Sequence, residues 1–336
     1  MRKIDTHFKG KNVVITGGSS GIGKATAKLL AGHGANVFIV ARDQEKLDRA
    51  LQEIEAEGDT EGQRYGAFSA DVTSYEQVED AIAAIVDTGG TPDILINCAG
   101  IVRPGYFEEL PLSTFRKQMD VNFFGTLHTV KAVLPYMTAR SSGHIVNVSS
   151  MGGVVGGFGY TAYGASKFAV YGFTEALRAE LKPHNIGVSL VLPFDTETPQ
   201  LEGEKKIQPL EMKILTGSVK PEKLSRPSEF IAYWVVVKLF FSGGEPMRAE
   251  QVAKAILRGI QKGHYLVLPD LLLKVATYLR GLIIPFGNWA QDQLIPVARK
   301  QRGADTFVEH DPVVCAPESP SWGEGPDDLQ GGESTP

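Results

Sequence analysis

The chain alternates short continuous apolar runs with longer segments in which apolar residues return every three or four positions. The runs are Asn12–Thr16, Asn36–Val40, Tyr65–Ala70, Asp93–Asn97, Ile145–Val148, Ile186–Leu192 and Tyr265–Leu268. Strands covered on both faces read this way, because neither face needs polar residues. Helical spacing is predicted from the glycine-rich turn after Thr16 through about His33. It is predicted again over Gln44–Glu57, Tyr75–Asp87, Ser113–Gly125, Thr126–Arg140, a segment carrying Tyr163, and Ala249–Lys262. Strand and helix in strict alternation predict an α/β fold with right-handed crossovers. The expected architecture is a single Rossmann-type doubly wound parallel sheet of about seven strands, with a C-terminal amphipathic helical extension.

Two stretches break the rhythm, and they set the expected domain organisation. Residues 8–268 are expected to make one domain. Within it, 196–246 is a long connection rich in Lys, Glu and Pro, with the apolar block Phe230–Phe241, and is expected to be a substrate loop or lid. Residues 269–302 carry leucines on one side of Asp270–Ile284 and charges on another. That length with internal charges falls short of a membrane span, which needs about 20 mostly apolar residues. A surface-lying helix fits better, with Trp289, Arg299, Lys300 and Arg302 at the headgroups. The alternative is a core packing face or an interface in a homo-oligomer. Residues 303–336 are rich in Gly, Pro, Ser and acids, and are expected to be a disordered acidic tail.

Composition changes this picture in two ways. Of the 39 acids, eight lie after Arg302, where there is no Lys or Arg, leaving 31 against 34 bases in the rest. The folded part is therefore mildly basic, which suits an anionic cofactor or membrane surface but gives no case for nucleic acid. The two cysteines, Cys98 and Cys315, lie far apart in unlike contexts and offer neither a disulfide framework nor a metal site. No signal peptide is apparent, so a cytosol-facing location is expected, with peripheral membrane association.

The chemistry gathers around three features. First, Tyr163 and Lys167 are four residues apart at the start of a helical pattern, hence on one face. Ser150 lies thirteen residues upstream, after an apolar run. An ammonium beside a phenol stabilises the phenolate, and a hydroxyl at a strand end is placed to hydrogen-bond a developing oxyanion. Taken alone, tyrosine and lysine at this spacing are more often a half-buried ring beside a solvated cation.

Second, Gly17, Gly21 and Gly23 form a G-x-x-x-G-x-G turn between a strand and a helix, with Ser19 and Ser20 as hydroxyl donors. Helix N-termini attract phosphate through free N–H groups and the dipole. Third, the second strand ends in Ala41-Arg42, without an acid on the strand end itself. An acid there binds the ribose 2′-hydroxyl, whereas an arginine accommodates a 2′-phosphate. Arg42, with Lys46 four residues on, favours NADPH; Asp43 argues mildly the other way.

With Asp71-Val72, Asn97-Cys-Ala-Gly100 and Asn122 falling in order among these, the chain resembles the short-chain dehydrogenase/reductase family over roughly Phe8–Leu268. The resemblance implies Tyr163 as proton donor, with Lys167 lowering its pKa and binding the nicotinamide ribose. It implies Ser150, rather than Ser149, at the carbonyl, and Asn122 holding the proton-relay water. It implies Asp71 and Val72 beside the adenine, Asn97 to Gly100 packed beside the cofactor, and further contacts from Ile22, Pro193 and Thr196. No metal is implied. Cys98 stands where the family more often has Asn.

A narrower resemblance follows the sixth strand. Leu192-Pro-Phe-Asp-Thr-Glu-Thr-Pro199 is similar to the P-P-D-T-D-T-P stretch of the 3-ketodihydrosphingosine reductases, with Phe194 for the second proline and Glu197 for the second acid. This implies NADPH-dependent reduction of 3-dehydrosphinganine to sphinganine, on a long-chain lipid substrate. Alternatives are a ketoreductase acting on a 3-oxoacyl thioester or a steroid, and a non-catalytic dinucleotide-binding scaffold.

Overall fold

The computed structural model describes residues 7–58, 61–221, 224–235, 246–270, 274, 277–278 and 280–302. The strands are β1 (Asn12–Thr16), β2 (Asn36–Ala41), β3 (Tyr65–Ser69), β4 (Ile94–Asn97), β5 (Gly143–Val148), β6 (Ile186–Val191), β7 (Thr196–Glu197), β8 (Met247–Arg248) and β9 (Leu266–Val267). The helices are α1 (Gly21–Ala31), α2 (Gln44–Glu55), α3 (Tyr75–Gly89), α4 (Leu112–Met119), α5 (Gly125–Arg140), α6 (Thr161–Leu181), α7 (Pro199–Ile207), α8 (Leu210–Leu215), α9 (Pro227–Val235), α10 (Ala249–Lys262) and α11 (Arg280–Arg302).

Seven strands form one parallel sheet in the order β3-β2-β1-β4-β5-β6-β9, and β7 pairs with β8 in a separate two-stranded ribbon. The apolar runs are continuous because the sheet is covered on both faces. Val13, Ile15, Val37 and Ile39 point to the face covered by α1, α2 and α10. Their neighbours Val14, Phe38 and Val40 point to the opposite face, under α3, α5 and α6. Strand order reverses between β1 and β4, and a crevice opens there beyond the carboxyl ends of the strands. The Rossmann-type expectation and its seven strands hold.

Local signals fix the helix starts. Asp43 caps α2 by accepting from the Lys46 N–H at 3.1 Å, and Ser74 caps α3 by accepting from Gln77 N–H at 3.3 Å. Thr198 caps α7, with Pro199 at the first helical position.

Three elements differ from the sequence reading. The long pattern over residues 113–140 is not two simple helices: α4 and α5 are joined by a π-helical turn, Asp120–Phe124. The seventh strand is only Leu266–Val267. The amphipathic segment expected over 270–284 is described as a helix at Arg280–Arg302, with Pro285 and Pro296 inside it. Of the apolar block 230–241, the described part closes α9; the remainder, and the tail 303–336, lie outside the described residues. No helix among the described residues is long and apolar enough to cross a membrane.

Candidate active site

The crevice is built from the turns that follow β1, β4, β5 and β6. Gly17 has φ +67, and its amide donates to Val40 O at 2.8 Å, locking the glycine turn to the end of β2. A Cβ at Gly17 would stand 2.8 Å from Ala99 N, and one at Gly23 would stand 2.3 Å from Gly17 O. Both positions are therefore closed to any side chain. Ser20 precedes α1 without a side-chain cap, and the first turn of α1 has no acid, so its N-terminal amides are open to an anion. The residues present fit a dinucleotide pyrophosphate in this cradle. Gly17, Ser20, Gly21, Ile22 and Gly23 line the crevice together with Gly100, Ser150, Tyr163, Lys167, Pro193 and Thr196. That is most of the candidate set, brought to one wall.

Ser149 and Ser150 both line the crevice, but their hydroxyls part ways. Ser149 Oγ donates to Lys167 O at 2.8 Å inside the packing of α6, whereas Ser150 faces the crevice and accepts from Gly152 N–H at 3.1 Å. The alternation of extended backbone after β5 makes this split, with Ser150 at φ −164 and ψ 164.

Lys167 is 6 % exposed, donates from Nζ to Val148 O at 3.1 Å, and sits 5.9 Å from the Tyr163 ring centroid. Burial pulls its pKa down to about 8. Burial also pushes the Cys98 thiol up to about 12, so at neutral pH it remains a thiol and gives the ammonium no counter-charge. Burial pushes the Tyr163 phenol above the ordinary tyrosine value. The Ser150 hydroxyl, hydrogen-bonded to it, draws it back, and Glu204 and Asp195 push it further up. The sequence expectation was a phenol tuned chiefly by Lys167. In the folded chain the ammonium lies over the ring and is spent on a main-chain carbonyl, so burial and Ser150 set the balance.

Asn122 is fully buried in the π-helical turn. Its Oδ1 accepts from Ile101 N–H at 2.7 Å, and its Nδ2 donates to Ile101 O at 2.9 Å and to Ser166 Oγ at 2.8 Å. The turn thereby ties the β4 loop to α6 just behind Gly100, where an added Cβ would meet Asn122 Oδ1 at 3.2 Å and Lys167 Nζ at 3.4 Å.

Other candidates lie apart from this wall. The Asn97 side chain turns into the sheet, donating to Asn147 Oδ1 at 2.9 Å and accepting from Thr129 Oγ1 at 2.6 Å. Val72 packs inward under α5, and its carbonyl meets His128 Nδ1 at 2.9 Å. Ser19 does not line the crevice. Arg42 is largely exposed, 3.8 Å from Asp71, whose Oδ1 accepts from both the N–H and the hydroxyl of Thr73. Lys46 pairs with Asp43 at 3.0 Å. Asp43 therefore faces its own helix, as a cap, rather than the end of β2.

Sequence reasoning missed a second cavity, which shares Ser150, Phe194 and Asp195 with the crevice. Its walls are apolar: Met151, Val155, Phe158, Phe194, Met212 and Leu215. Gly287 and Gln291 of α11 close one side, and Gln291 Oε1 accepts from Phe158 N–H at 3.0 Å. Fully buried Glu211 of α8 holds the two helices together. It accepts from Tyr106 OH at 2.5 Å, and Arg299 of α11 lies 3.9 Å away. The apolar spacing of Met212 and Leu215 was visible in the sequence, but no local signal says which cavity they face. Tyr160, Asp195 and Glu204 were missed as well. Tyr160 OH donates to Glu204 Oε1, and Gln208 Nε2 donates to the same carboxylate at 2.9 Å.

Comparison with known proteins follows the same lines. The short chain dehydrogenase family matches residues 11–208. The chain is 43% identical over 223 residues to the 3-dehydrosphinganine reductase of Danio rerio, covering 65% of this chain and 67% of that one. It is 36% identical over 293 residues to the 3-ketodihydrosphingosine reductase of Dictyostelium discoideum, covering 83% and 80%. A short chain dehydrogenase/reductase from Burkholderia phymatum, solved in complex with NAD, superposes with a TM-score of 0.66 at 26% identity, over 83% of this chain and 95% of that one.

Proposed function

The chain belongs to the short-chain dehydrogenase family, and we propose that within it the chain is a ketoreductase that converts the 3-keto group of 3-dehydrosphinganine to a hydroxyl. One observation carries this: Ser150 lines both the glycine-turn crevice and an apolar cavity, with Tyr163 beside it on the crevice wall. A long-chain ketone whose tail fills the apolar cavity presents its carbonyl at that junction. Kinship with the reductases of Danio rerio and Dictyostelium discoideum supports the same substrate.

When bound, the nicotinamide supplies hydride to the carbonyl carbon. The chain's own groups do the rest. Ser150 Oγ donates a hydrogen bond to the carbonyl oxygen, orienting it and stabilising the charge that develops there. Tyr163, kept protonated at neutral pH by burial, gives its proton to that oxygen. The Lys167 ammonium, still charged at pH 7 with its pKa near 8, steadies the phenolate left behind and reaches the ribose hydroxyls. Asn122 holds the π-helical turn against Ile101 and Ser166, fixing the loop behind Gly100. Val155, Phe158 and Met212 exclude bulk water from the junction.

The cofactor is a nicotinamide dinucleotide, and we assign NADPH on Arg42. The guanidinium is exposed at the end of β2, and Asp71 at 3.8 Å already has one oxygen engaged by Thr73. With Arg42→Gln, kcat/KM for NADPH should drop about 100-fold while that for NADH changes less than about threefold, as when a charge-assisted phosphate contact is lost. Equal losses for both would place the 2′-phosphate elsewhere.

Residues 8–268 form the catalytic domain, and the segment from Thr196 covers the glycine turn: a Cβ at Gly21 would meet Thr198 Cγ2 at 2.9 Å. We assign α9 and α11 to a membrane surface. Phe230, Ile231 and Trp234 are half exposed on α9, and Phe286 and Trp289 are partly exposed on α11, the helix that closes the apolar cavity. The decisive assay follows NADPH oxidation with 3-dehydrosphinganine in detergent, against a 3-oxoacyl thioester and a 3-ketosteroid. A higher kcat/KM for either competitor would overturn the sphingoid assignment, and cofactor binding with no oxidation across all three would favour a scaffold.

A further inference from the structure

The junction where the carbonyl reacts is rich in hydrogen-bond acceptors and acids. Asp195, directly after Phe194, lines both the crevice and the apolar cavity. Its main-chain carbonyl accepts from Met247 N–H at 2.8 Å, which fixes the loop to β8. No hydrogen bond or ion pair among the described residues engages its carboxylate. Glu204 also lines the crevice, and its Oε1 is taken by Tyr160 and Gln208. Gln208 is 5 % exposed, and its Oε1 has no hydrogen-bond partner.

The walls of the two cavities carry one cation, Lys167, which donates to Val148 O and lies 5.9 Å from the Tyr163 ring centroid. Lys205 draws the Asp195 carboxyl slightly down, but burial dominates and holds it up. Burial likewise lifts Glu204, with Asp195 adding to the rise. An unpartnered carboxylate half sunk in an apolar wall is costly unless a cation meets it. Its nearness to the phenol also works against the proton donor, since a negative charge there resists formation of a phenolate.

We propose that Asp195 is the specificity residue for a cationic substrate: its carboxylate pairs with the ammonium on the carbon next to the reacting carbonyl of an α-amino ketone. This rests on the ketoreductase reading and deepens it. In 3-dehydrosphinganine the ammonium is carried by C2, the carbon bonded directly to the carbonyl carbon. A carbonyl held by Ser150 and Tyr163 leaves that ammonium at the mouth shared by the two cavities, where Asp195 sits. Glu204 stands as the second acid of the same wall, with Tyr160 and Gln208 holding its orientation. The pairing discharges the wall and offsets the carboxylate beside the phenol. A 3-oxoacyl thioester or a steroid has no such cation and leaves Asp195 buried against apolar surface, so the same residue rejects both.

The test has a turnover arm and a binding arm. In the first, wild type and Asp195→Asn are assayed with 3-dehydrosphinganine and with its neutral 2-hydroxy isostere. The wild-type kcat/KM ratio should favour the amine by about 100-fold, and the variant should compress that ratio to within about threefold. In the second, calorimetry compares sphinganine with octadecane-1,2,3-triol on protein loaded with NADP+. Wild type should bind the amine at least about tenfold tighter, and Asp195→Asn should bind both alike. Asp195→Glu, which keeps the charge, should restore part of the preference.

A preference for the amine that survives in Asp195→Asn, or one that is missing in wild type, overturns the pairing whatever the turnover. If the binding preference stands and depends on Asp195 while 3-dehydrosphinganine is not reduced, the ammonium site is upheld and the reductase reading fails instead.

Discussion

Tyr163→Phe is expected to lower kcat by about 1000-fold with 3-dehydrosphinganine, within the range that one positioned acid contributes. The KM for the dinucleotide should change less than about twofold. Removal of one oxygen leaves the ring, the cation above it at 5.9 Å, and the Asn122 tie between the β4 loop and α6 in place. Only the proton donor and its hydrogen bond to Ser150 disappear. An interaction made chiefly in the transition state shows as a fall in kcat rather than a rise in KM. Ser150→Ala should cost less, about 100-fold, because Tyr163 still addresses the same oxygen. Stopped-flow oxidation of NADPH under single-turnover conditions checks both. A Tyr163→Phe rate within about threefold of wild type would remove the phenol from the mechanism and with it the reading of the junction.

The sheet was legible because it is buried on both sides. Asn12–Thr16 and Ile94–Asn97 are continuous apolar runs that pair in parallel at the centre of the sheet, and the glycine turn follows the first of them. Tyr163 and Lys167 were legible as one helix face, four residues apart, and the family resemblance added Ser150 to them; all three line the same crevice. The split between Ser149 and Ser150 follows from the alternation of an extended chain.

What escaped the sequence is what depends on distant packing. The π-helical turn at Asp120–Phe124 shows in the sequence only as a break between two helical patterns, because the extra residue rotates the apolar face by about 100°. The Asn97 side chain reads as a cofactor contact in order along the chain, yet Thr129 and Asn147 claim both ends of its amide. Asp195 and Glu204 read as loop acids, because nothing local says that α7 folds them against Tyr160 and Tyr163. The apolar cavity is assembled from the β5 loop, α8 and α11, segments spread along the chain from Met151 to Gln291.

Lys167→Met is expected to make the protein more stable while removing turnover. A lysine with its folded pKa near 8 and an ordinary value of 10.5 in the unfolded chain penalises folding whenever it must be charged. Below about pH 8 both states hold the proton, and the folded state bears the whole cost of keeping an ammonium in a dry site. Between about 8 and 10.5 the unfolded chain binds more protons than the folded one, so stability rises with pH and the cost disappears above that window. The full penalty is on the order of 3 kcal/mol, at about 1.4 kcal/mol per pKa unit. Cys98, a thiol until about pH 12, supplies no balancing charge across that range. Methionine has nearly the same length and no charge to bury. Losing the hydrogen bond to Val148 O takes back about 1 kcal/mol, so a net gain on the order of 2 kcal/mol, or a few degrees in Tm, is expected at pH 7. That gain should shrink as melts are repeated toward pH 10, while kcat falls at least about 100-fold at every pH. A methionine variant no more stable than wild type at pH 7 would mean that the ammonium is solvated or paired after all. The poised cation over Tyr163 would then carry no strain for a bound ribose to relieve.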